Sequence, residues 1–271
     1  MVKYLLLLFS FTFSTVTDID GNIYQTVEIG DQLWMTENLK VTHYNNGNSI
    51  TYITSEEHWG SMNEGQYSVY NDEPINTNIY GNLYNWAVIG DTRGICPVGW
   101  HVPSDDEYTV LTDFLGGESV AGGKMKEAGL EHWNYDSDQI SLEATNESGF
   151  TGLPAGHRNT NSGDYIYMGF YGYFWSSTET GSELAWRRYL FDYSSGVGQD
   201  TFGKPNGFSI RCVNDAYISG DINGDSSVNI QDIVLAVNLV LSGEYNNLAD
   251  LNSDSTVDIL DIVQLVNIIL N

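Results

Sequence analysis

Two stretches near the C-terminus repeat one pattern: residues 221–241 read DINGDSSVNIQDIVLAVNLVL, and residues 250–270 read DLNSDSTVDILDIVQLVNIIL. Twelve of the twenty-one aligned positions are identical, and the copies lie 29 residues apart. Each copy begins with an aspartate-rich polar loop and continues into an apolar run. An internal repeat of this kind predicts one structural unit used twice, a loop followed by a helix.

The polar loops have the ligand spacing of an EF-hand calcium site. Oxygen-bearing side chains stand at loop positions 1, 3, 5, 9 and 12, and position 7 supplies its backbone carbonyl. The predicted ligands are Asp221, Asn223, Asp225, Ser227, Asn229 and Asp232 in the first loop, and Asp250, Asn252, Asp254, Thr256, Asp258 and Asp261 in the second. Because such closely packed carboxylates repel one another without a cation, we expect two Ca²⁺ ions to keep the loops folded. An Asx-rich turn is the alternative for a single loop, and two copies in register count against it.

Loop position 6 departs from the usual calcium loop, because Ser226 and Ser255 stand where glycine is normal. That position needs a left-handed backbone, which a residue with a Cβ adopts at a cost of up to about 2 kcal/mol. We therefore expect reduced calcium affinity.

The apolar runs predict helices over residues 233–241 and 262–270. Both are apolar almost all round, with interruptions at the equivalent Asn238 and Asn267. A helix of this kind must be covered on more than one side, and a module of about 50 residues has too little core to do so. A protein partner is the expected cover.

Residues 218–271 resemble the type I dockerins, which have two loop–helix repeats with Asp rather than Glu at position 12 and no helix before each loop. The resemblance implies docking to a cohesin-like domain through the helices, with two orientations allowed by the internal symmetry. It also implies that loop positions 10 and 11 set partner preference, here Ile230 with Gln231 and Ile259 with Leu260. These pairs are more apolar than the commoner hydroxyl pair, which counts against a standard cellulosomal partner.

The 271-residue chain is strongly acidic, with 10 Lys and Arg against 36 Asp and Glu and a formal net charge of −26. Phosphate binding needs clustered basic side chains, so nucleic acid is not an expected partner. Residues 215–271 contain nine Asp or Glu and no Lys or Arg, which favours a neutralising cation there. A negative surface that only maintains solubility is the alternative for the chain as a whole.

The N-terminus predicts export. Residues 1–14 combine Lys3 with the apolar run 4–13, which is typical of a signal peptide cleaved after Ser14 and too short to span a bilayer. No other segment offers 18 consecutive apolar residues, so we expect a protein without a membrane span, located outside the cell or at its surface. In an exported chain, Cys96 and Cys212 predict a disulfide in preference to two free thiols.

Short strands and two helices are predicted between these ends. Asp20 with Gly21 and Gly30 with Asp31 mark hairpin turns. Asp18 begins a stretch that approximates a third calcium loop, but its position 12 is Ile29, so a plain turn is the better interpretation. The remaining predicted elements are a helix that begins at the capping box of Ser104 and Glu107 and ends at Gly116, a helix over 120–128, and strands over 149–154, 173–178, 185–191 and 208–213.

Residues 17–214 resemble the FISUMP (Fibrobacter succinogenes major paralogous) domain. The resemblance is carried by DIDGNIYQTVEIGDQLWMTENL, YGNLYNWAV, GICPVGWHVPSDDEY, AGGKMKE, GFTGLPAGHR, FWSST and FSIRCV. It implies a C-type-lectin-like α+β fold, supports pairing of Cys96 with Cys212, and implies no established activity. The expected architecture is therefore a C-type-lectin-like domain over residues 17–214 followed by a small all-α dockerin module over 215–271.

One glycine-rich, aromatic-rich segment is a candidate glycan-binding surface. Its candidate ligand-binding residues are Tyr165, Tyr167, Tyr171 and Tyr173. Aromatic faces stack on sugar rings, and the alternative is that these side chains form the core, as we expect of Trp175 and Trp186. The calcium-lectin triplets are absent, since residues 73–76 only approximate one.

No catalytic constellation is evident, because the histidines are scattered and the acidic pairs are no more numerous than the composition predicts. The leading hypothesis is a secreted, non-catalytic binding or adhesion protein whose head binds a glycan or cell surface and whose tail docks to a cohesin-like partner. The first alternative is a component of a polysaccharide-degrading extracellular complex, associated with glycoside hydrolases in polysaccharide catabolism. The second is a structural surface-layer protein.

Overall fold

The computed structural model describes residues 14–54, 59–129, 131–134, 144–214, 220–223, 228–246, 248–252 and 254–270. They belong to two compact units, here called the head (residues 14–214) and the tail (residues 220–270). Within these ranges no helix combines the length and apolarity needed to cross a bilayer. Apart from Ser14, the predicted signal peptide lies outside the described residues.

Strands dominate the head, and helices form its minor part, so the fold class is α+β. The strands among its described residues are β1 (Thr15–Thr17), β2 (Ile23–Ile29), β3 (Gln32–Met35), β4 (Thr51–Tyr52), β5 (Gln66–Ser68), β6 (Leu83–Tyr84), β7 (Trp100–His101), β8 (Ala155–Arg158), β9 (Tyr165–Met168), β10 (Tyr171–Glu179), β11 (Leu184–Phe191), β12 (Gly198–Gly203) and β13 (Val213–Asn214). The helices are α1 (Pro74–Tyr80), α2 (Asp105–Phe114) and α3 (Glu118–Met125), with 3₁₀ turns at Tyr70–Asp72 and Trp86–Val88. The tail contains α4 (Ile230–Ser242) and α5 (Ile259–Leu270).

The head strands form three sheets. Their orders are β1-β2-β3-β13-β7, β12-β11-β10-β8-β9 and β4-β5-β6. In the first sheet, β13 pairs with β3 and β7 although it comes last in the head sequence, so the end of the head closes onto its beginning. In the second sheet, β10 and β11 form the longest antiparallel pair, with Tyr171 opposite Phe191.

Both predicted hairpins are present. Thr17 pairs with Ile23 across the turn that contains Gly21, and Ile29 pairs with Gln32 across the next turn. The Asp18 carboxylate accepts N–H groups from the backbone of Asp20 (3.0 Å) and Asn22 (2.9 Å) and the hydroxyl of Tyr24 (2.7 Å). This carboxylate organises a turn, in agreement with the plain-turn interpretation.

The first predicted helix also forms, with its capping box. The Ser104 hydroxyl accepts the Glu107 backbone N–H, and the Glu107 carboxylate accepts the Ser104 N–H at 2.7 Å. The second predicted helix begins at Glu118 and ends at Met125, slightly earlier than predicted at both ends. It ends there because Lys126 has an extended backbone conformation. Caps of this kind supply partners for the free N–H groups of a helix start.

The strand predicted over 149–154 does not form, and of the strand predicted over 208–213 only Val213 lies in a strand, β13. Residues 149–154 contain one isolated bridge, from Gly152 to Lys126, and residues 208–212 contain bridges from Phe208 to Tyr84 and from Ser209 to Phe174. These segments pair with different neighbours at successive residues, so no continuous ladder develops. Their apolar side chains are core residues all the same, since Phe150 and Phe208 are fully buried.

Strand alternation divides the buried side chains of the head into two hydrophobic clusters. Trp34 and Phe174 lie in one cluster, and their neighbours Met35 and Trp175 lie in the other, because successive residues of a strand point to opposite faces. The second cluster also holds the Cys96–Cys212 disulfide, whose Cα atoms are 6.0 Å apart. This bridge joins the end of the head to its middle.

Candidate functional site

The first tail loop is closed by Asp232, which is fully buried. One carboxylate oxygen accepts the backbone N–H groups of Ile222 (2.8 Å) and Asn223 (3.1 Å). The other oxygen accepts the Asn229 N–H at 2.9 Å. Position 12 therefore ties both ends of the loop to the start of α4. The predicted ligands Asp225 and Ser227, and Ser226 between them, lie outside the described residues, whereas Asp221 is buried.

The second loop has the same closure at Asp261. Its carboxylate accepts the N–H groups of Leu251 (2.9 Å), Asn252 (3.2 Å) and Asp258 (2.9 Å). These donors occupy loop positions 2, 3 and 9, as they do in the first loop. The repeat in sequence is thus a repeat in hydrogen bonding.

Loop position 9 fixes where each helix begins. The side-chain oxygen of Asn229 accepts the Gln231 N–H at 2.8 Å, and that of Asp258 accepts the Leu260 N–H at 2.7 Å. Because these side chains act as N-caps, α4 and α5 start at loop position 10. The helices predicted over 233–241 and 262–270 therefore begin three residues too late.

The remaining side chains of the second loop also bind the loop backbone. Asp250 accepts the N–H groups of Asp254 (3.1 Å) and Ser255 (2.9 Å), and the hydroxyl of Tyr245 (3.1 Å). Asp254 accepts from the hydroxyl and N–H of Thr256, and these bonds hold the pKa of Asp254 below its usual value. The carboxylates are thus positioned by the chain itself.

Ser255 adopts the left-handed backbone that position 6 requires, with φ = +67°. Its Cβ makes that conformation costly. A serine that nevertheless holds this φ indicates that the surrounding loop contacts determine the backbone here.

The tail helices pack on each other. Each buries the equivalent residue, Ala236 in α4 and Leu265 in α5. Other apolar side chains of both helices are exposed. Ile230 is 71% exposed and its equivalent Ile259 is 62% exposed, and both are followed by exposed residues at position 11, Gln231 and Leu260.

Three exposed apolar side chains recur at equivalent positions of the two helices. They are Ile230, Val234 and Leu241 in α4, and Ile259, Val263 and Leu270 in α5. Residues at spacings i, i+4 and i+11 lie on one side of a helix. We call each of these two sets an apolar face.

The candidate tyrosines of the head divide between surface and core. Tyr167 is 50% exposed, and its ring centre lies 5.3 Å from that of Tyr171. Tyr171 stacks on Tyr173 with an angle of 3° between the ring planes. Tyr173 is only 5% exposed, so a ligand would reach little of its ring. Tyr165 is half-buried and donates its hydroxyl to Asp72 at 2.7 Å.

Two further rings extend this surface. Phe191 and Tyr193 stack with centres 4.9 Å apart, and Tyr193 is exposed. The Tyr171 and Tyr193 hydroxyls lie 3.4 Å apart, and this hydrogen bond raises the pKa of Tyr171 to about 12. We call Tyr167, Tyr171, Phe191 and Tyr193 the aromatic surface. Phe191 and Tyr193 were missed in the sequence because they belong to a different segment: Phe191 is the last residue of β11, and Tyr193 follows that strand.

One group of potential metal ligands in the head was also missed in the sequence. Within the described part of the chain, three ligand atoms of His, Cys, Asp or Glu lie within 4.8 Å of one another at Glu127, Glu131 and His132. His132 Nδ1 lies 2.8 Å from a Glu127 carboxylate oxygen, which makes the pair an ordinary ion pair when the ring is protonated. The carboxylates of the second tail loop do not converge to that spacing.

Comparison with known families covers nearly the whole described chain. The Fibrobacter succinogenes major domain model matches residues 27–214, and the type I dockerin domain model matches residues 219–270. No curated protein and no solved structure matches significantly. Type I dockerin domains bind calcium and dock to cohesins in cellulosome-like complexes, in keeping with the acidic repeat. The chain belongs to the Fibrobacter succinogenes major domain family and carries a type I dockerin domain at its C-terminal end.

Proposed function

We propose that the protein is a secreted, non-catalytic binding component of an extracellular, cohesin-bearing complex. The observation that carries this proposal is the pair of equivalent apolar faces on α4 and α5, which expose large aliphatic side chains on both helices of a matched dockerin domain. Exposed apolar surface of this kind marks a protein contact. The docking residues are Ile230 and Gln231 of one copy and Ile259 and Leu260 of the other.

The tail holds two Ca²⁺ ions, one in each loop. The donor set supports this assignment: Asp, Asn and backbone carbonyl oxygens are the hard ligands that calcium prefers, and no Lys or Arg occurs in residues 215–271 to compete. Asp221, Asn223, Asp225, Ser227, Asn229 and Asp232 would hold the first ion, and Asp250, Asn252, Asp254, Thr256, Asp258 and Asp261 the second. Calcium supplies the positive charge that lets these acidic side chains share one loop.

The head has a C-type-lectin-like arrangement and binds glycan through its aromatic surface. Support comes from the exposed rings of Tyr167 and Tyr193 beside Tyr171, since flat aromatic faces stack on sugar rings. Tyr173 backs this surface from the core through its stacking on Tyr171, whereas Tyr165 lies beside Asp72 and Arg158. The disulfide supports an oxidising location outside the cytoplasm.

Docking is tested with the full chain and a panel of type I cohesin domains, by titration calorimetry in 2 mM CaCl₂ and again in excess chelator. We expect submicromolar binding to at least one cohesin in calcium and none in chelator. Calcium-independent binding, or no binding to any cohesin, would contradict the docking proposal. Release of reducing sugar from a polysaccharide by the purified protein would contradict its non-catalytic part.

A further inference from the structure

An open pocket of about 480 Å³ lies on the head between the segment that follows β5 and the start of β9. Asn71, Asp72, Asp164 and Tyr165 form its walls, and Arg158 lies at its buried floor. Its volume is within the range of small-ligand sites. None of the sequence motifs identified it, because its walls come from residues nearly a hundred positions apart.

Two consecutive wall residues have left-handed backbones. Asn71 has φ = +54° and Asp72 has φ = +55°. A pair of non-glycine residues in this conformation persists only where the surroundings hold it. Here the Asp72 N–H donates to the Val69 carbonyl at 2.9 Å, and the Asp72 carboxylate accepts the Tyr165 hydroxyl at 2.7 Å.

The opposite wall is held just as firmly. Burial, and next the hydrogen bond to Asp72, raise the pKa of Tyr165, so its hydroxyl stays protonated and keeps donating. The Arg158 guanidinium lies between two rings, 4.6 Å from the centre of Trp59 and 4.9 Å from that of Tyr165. It donates to the carbonyls of Ile53 (2.5 Å) and Gly163 (3.1 Å). The pocket therefore has fixed walls.

Acceptor groups at the pocket remain available for a ligand. The second Asp72 carboxylate oxygen and both Asp164 side-chain oxygens form no hydrogen bond with another described residue. The exposed Asn71 amide is also at the rim. Carboxylates and amides that line an open pocket match the hydroxyl groups of a sugar, which donate and accept at once.

We propose that this pocket binds one residue of a neutral glycan, with Asn71, Asp72 and Asp164 as hydrogen-bonding partners of its hydroxyls and Tyr165 as the side wall. This inference rests on the proposed glycan-binding role of the head and adds a second subsite to the aromatic surface. A neutral sugar fits because two carboxylates at the rim and a net charge of −26 disfavour uronic, sulfated or phosphorylated ligands.

The test measures binding of the full chain to cellohexaose, xylohexaose, mannohexaose and hexagalacturonate by titration calorimetry in 2 mM CaCl₂. The pocket variant combines Asn71→Gly, which keeps the left-handed backbone, with Asp164→Ala. The matched control is Asp113→Ala, an exposed carboxylate on α2. A third variant, Tyr167→Ala with Tyr193→Ala, removes the exposed rings of the aromatic surface.

We expect one neutral hexasaccharide to bind to the unmodified chain. Its affinity for the pocket variant should be about tenfold lower or more, because several hydrogen bonds are lost. Its affinity for the control variant should stay within about twofold of that of the unmodified chain. Unchanged affinity in the pocket variant with loss in the aromatic variant would overturn the pocket and leave the glycan role intact. Equal binding of hexagalacturonate would overturn the choice of a neutral ligand. No binding of any hexasaccharide would overturn the glycan role itself.

Discussion

Asp232 and Asp261 are equivalent residues of the two repeats, and each carboxylate accepts the N–H groups of positions 2, 3 and 9 of its own loop. Neither side chain is exposed. A buried carboxylate with this many donors is costly to remove, because the donors lose their partner. The two loops are therefore expected to respond alike to the same substitution.

Replacement of Asp261 by Ala should reduce the calcium stoichiometry of the full chain from two to one, as should Asp232→Ala. Each substitution removes an oxygen ligand and leaves three loop N–H groups without their acceptor, at a cost of about 1–3 kcal/mol per buried group. Titration calorimetry with CaCl₂ measures the stoichiometry. Glu244→Gln, an exposed acid outside the loops, is the control and should still bind two ions. Two ions bound by Asp261→Ala would contradict the ligand assignment.

Ser255→Gly should tighten calcium binding at the second loop. Glycine adopts the left-handed φ of +67° without the Cβ penalty of about 1 kcal/mol, which corresponds to several-fold in affinity if the strain is relieved in the bound loop. Ser255→Val should weaken binding, because a β-branched residue is least tolerant of this φ. Calcium titrations of the three proteins rank the affinities. A higher calcium affinity of Ser255→Val than of Ser255→Gly would show that backbone strain at position 6 does not limit binding.

Single substitutions on the tail helices should leave cohesin binding nearly intact, whereas the double substitution should abolish it. Ile230→Asp and Ile259→Asp each spoil one apolar face, and the other copy still offers an equivalent face. Together they leave neither. Val98→Asp, at an exposed aliphatic residue of the head, is the control. If one single variant loses all binding, one face alone docks and the two copies are not interchangeable.

The sequence predicted the hairpins, the α2 cap and the repeat of two loop–helix units because each depends on residues close together in the chain. It placed the tail helices three residues too late because Asn229 and Asp258 cap the helices as well as being predicted ligands. It gave 149–154 and 208–213 as strands because apolar spacing reports burial of Phe150 and Phe208, and not whether a partner strand runs alongside.

The candidate sites of the head were harder to predict, since they depend on contacts between distant segments. Tyr173 and Tyr167 share one aromatic-rich stretch, yet the first lies in the core and the second at the surface. The pocket beside Asp72 required knowledge that β9 brings Tyr165 to it. The only local signal was the Asn71–Asp72 pair, since these residue types tolerate left-handed backbones.

Replacement of Cys96 and Cys212 together by Ser should destabilise the head by about 2–5 kcal/mol. The bridge closes a span of 116 residues, and a long closed loop restricts the unfolded chain most. All seven tryptophans lie in the head, so urea unfolding followed by tryptophan fluorescence reports the head alone. A variant with unchanged unfolding free energy would show that the bridge contributes nothing to the stability of the head.

His157 should make the head less stable as the pH falls below 6.5. The ring is buried among Tyr173, Phe208 and Tyr167, with centres 5.1, 5.4 and 5.7 Å away. This burial, and secondarily the charge of Arg187, lower the pKa of His157 to about 4. Between pH 6.5 and 4 the unfolded chain binds a proton that the folded head does not. The unfolding free energy of the head therefore decreases as the pH decreases, by about 3 kcal/mol at most.

The measurement is the unfolding free energy at several pH values, again from tryptophan fluorescence in urea, for the unmodified chain and for His157→Gln. We expect a shallower loss of stability in His157→Gln between pH 6.5 and 4, whatever its stability at neutral pH. Leu190→Val is the control, because it disturbs the other hydrophobic cluster of the head and leaves the rings around His157 in place, so its pH slope should equal that of the unmodified chain. Equal slopes for His157→Gln and the unmodified chain would mean that His157 does not carry this pH dependence.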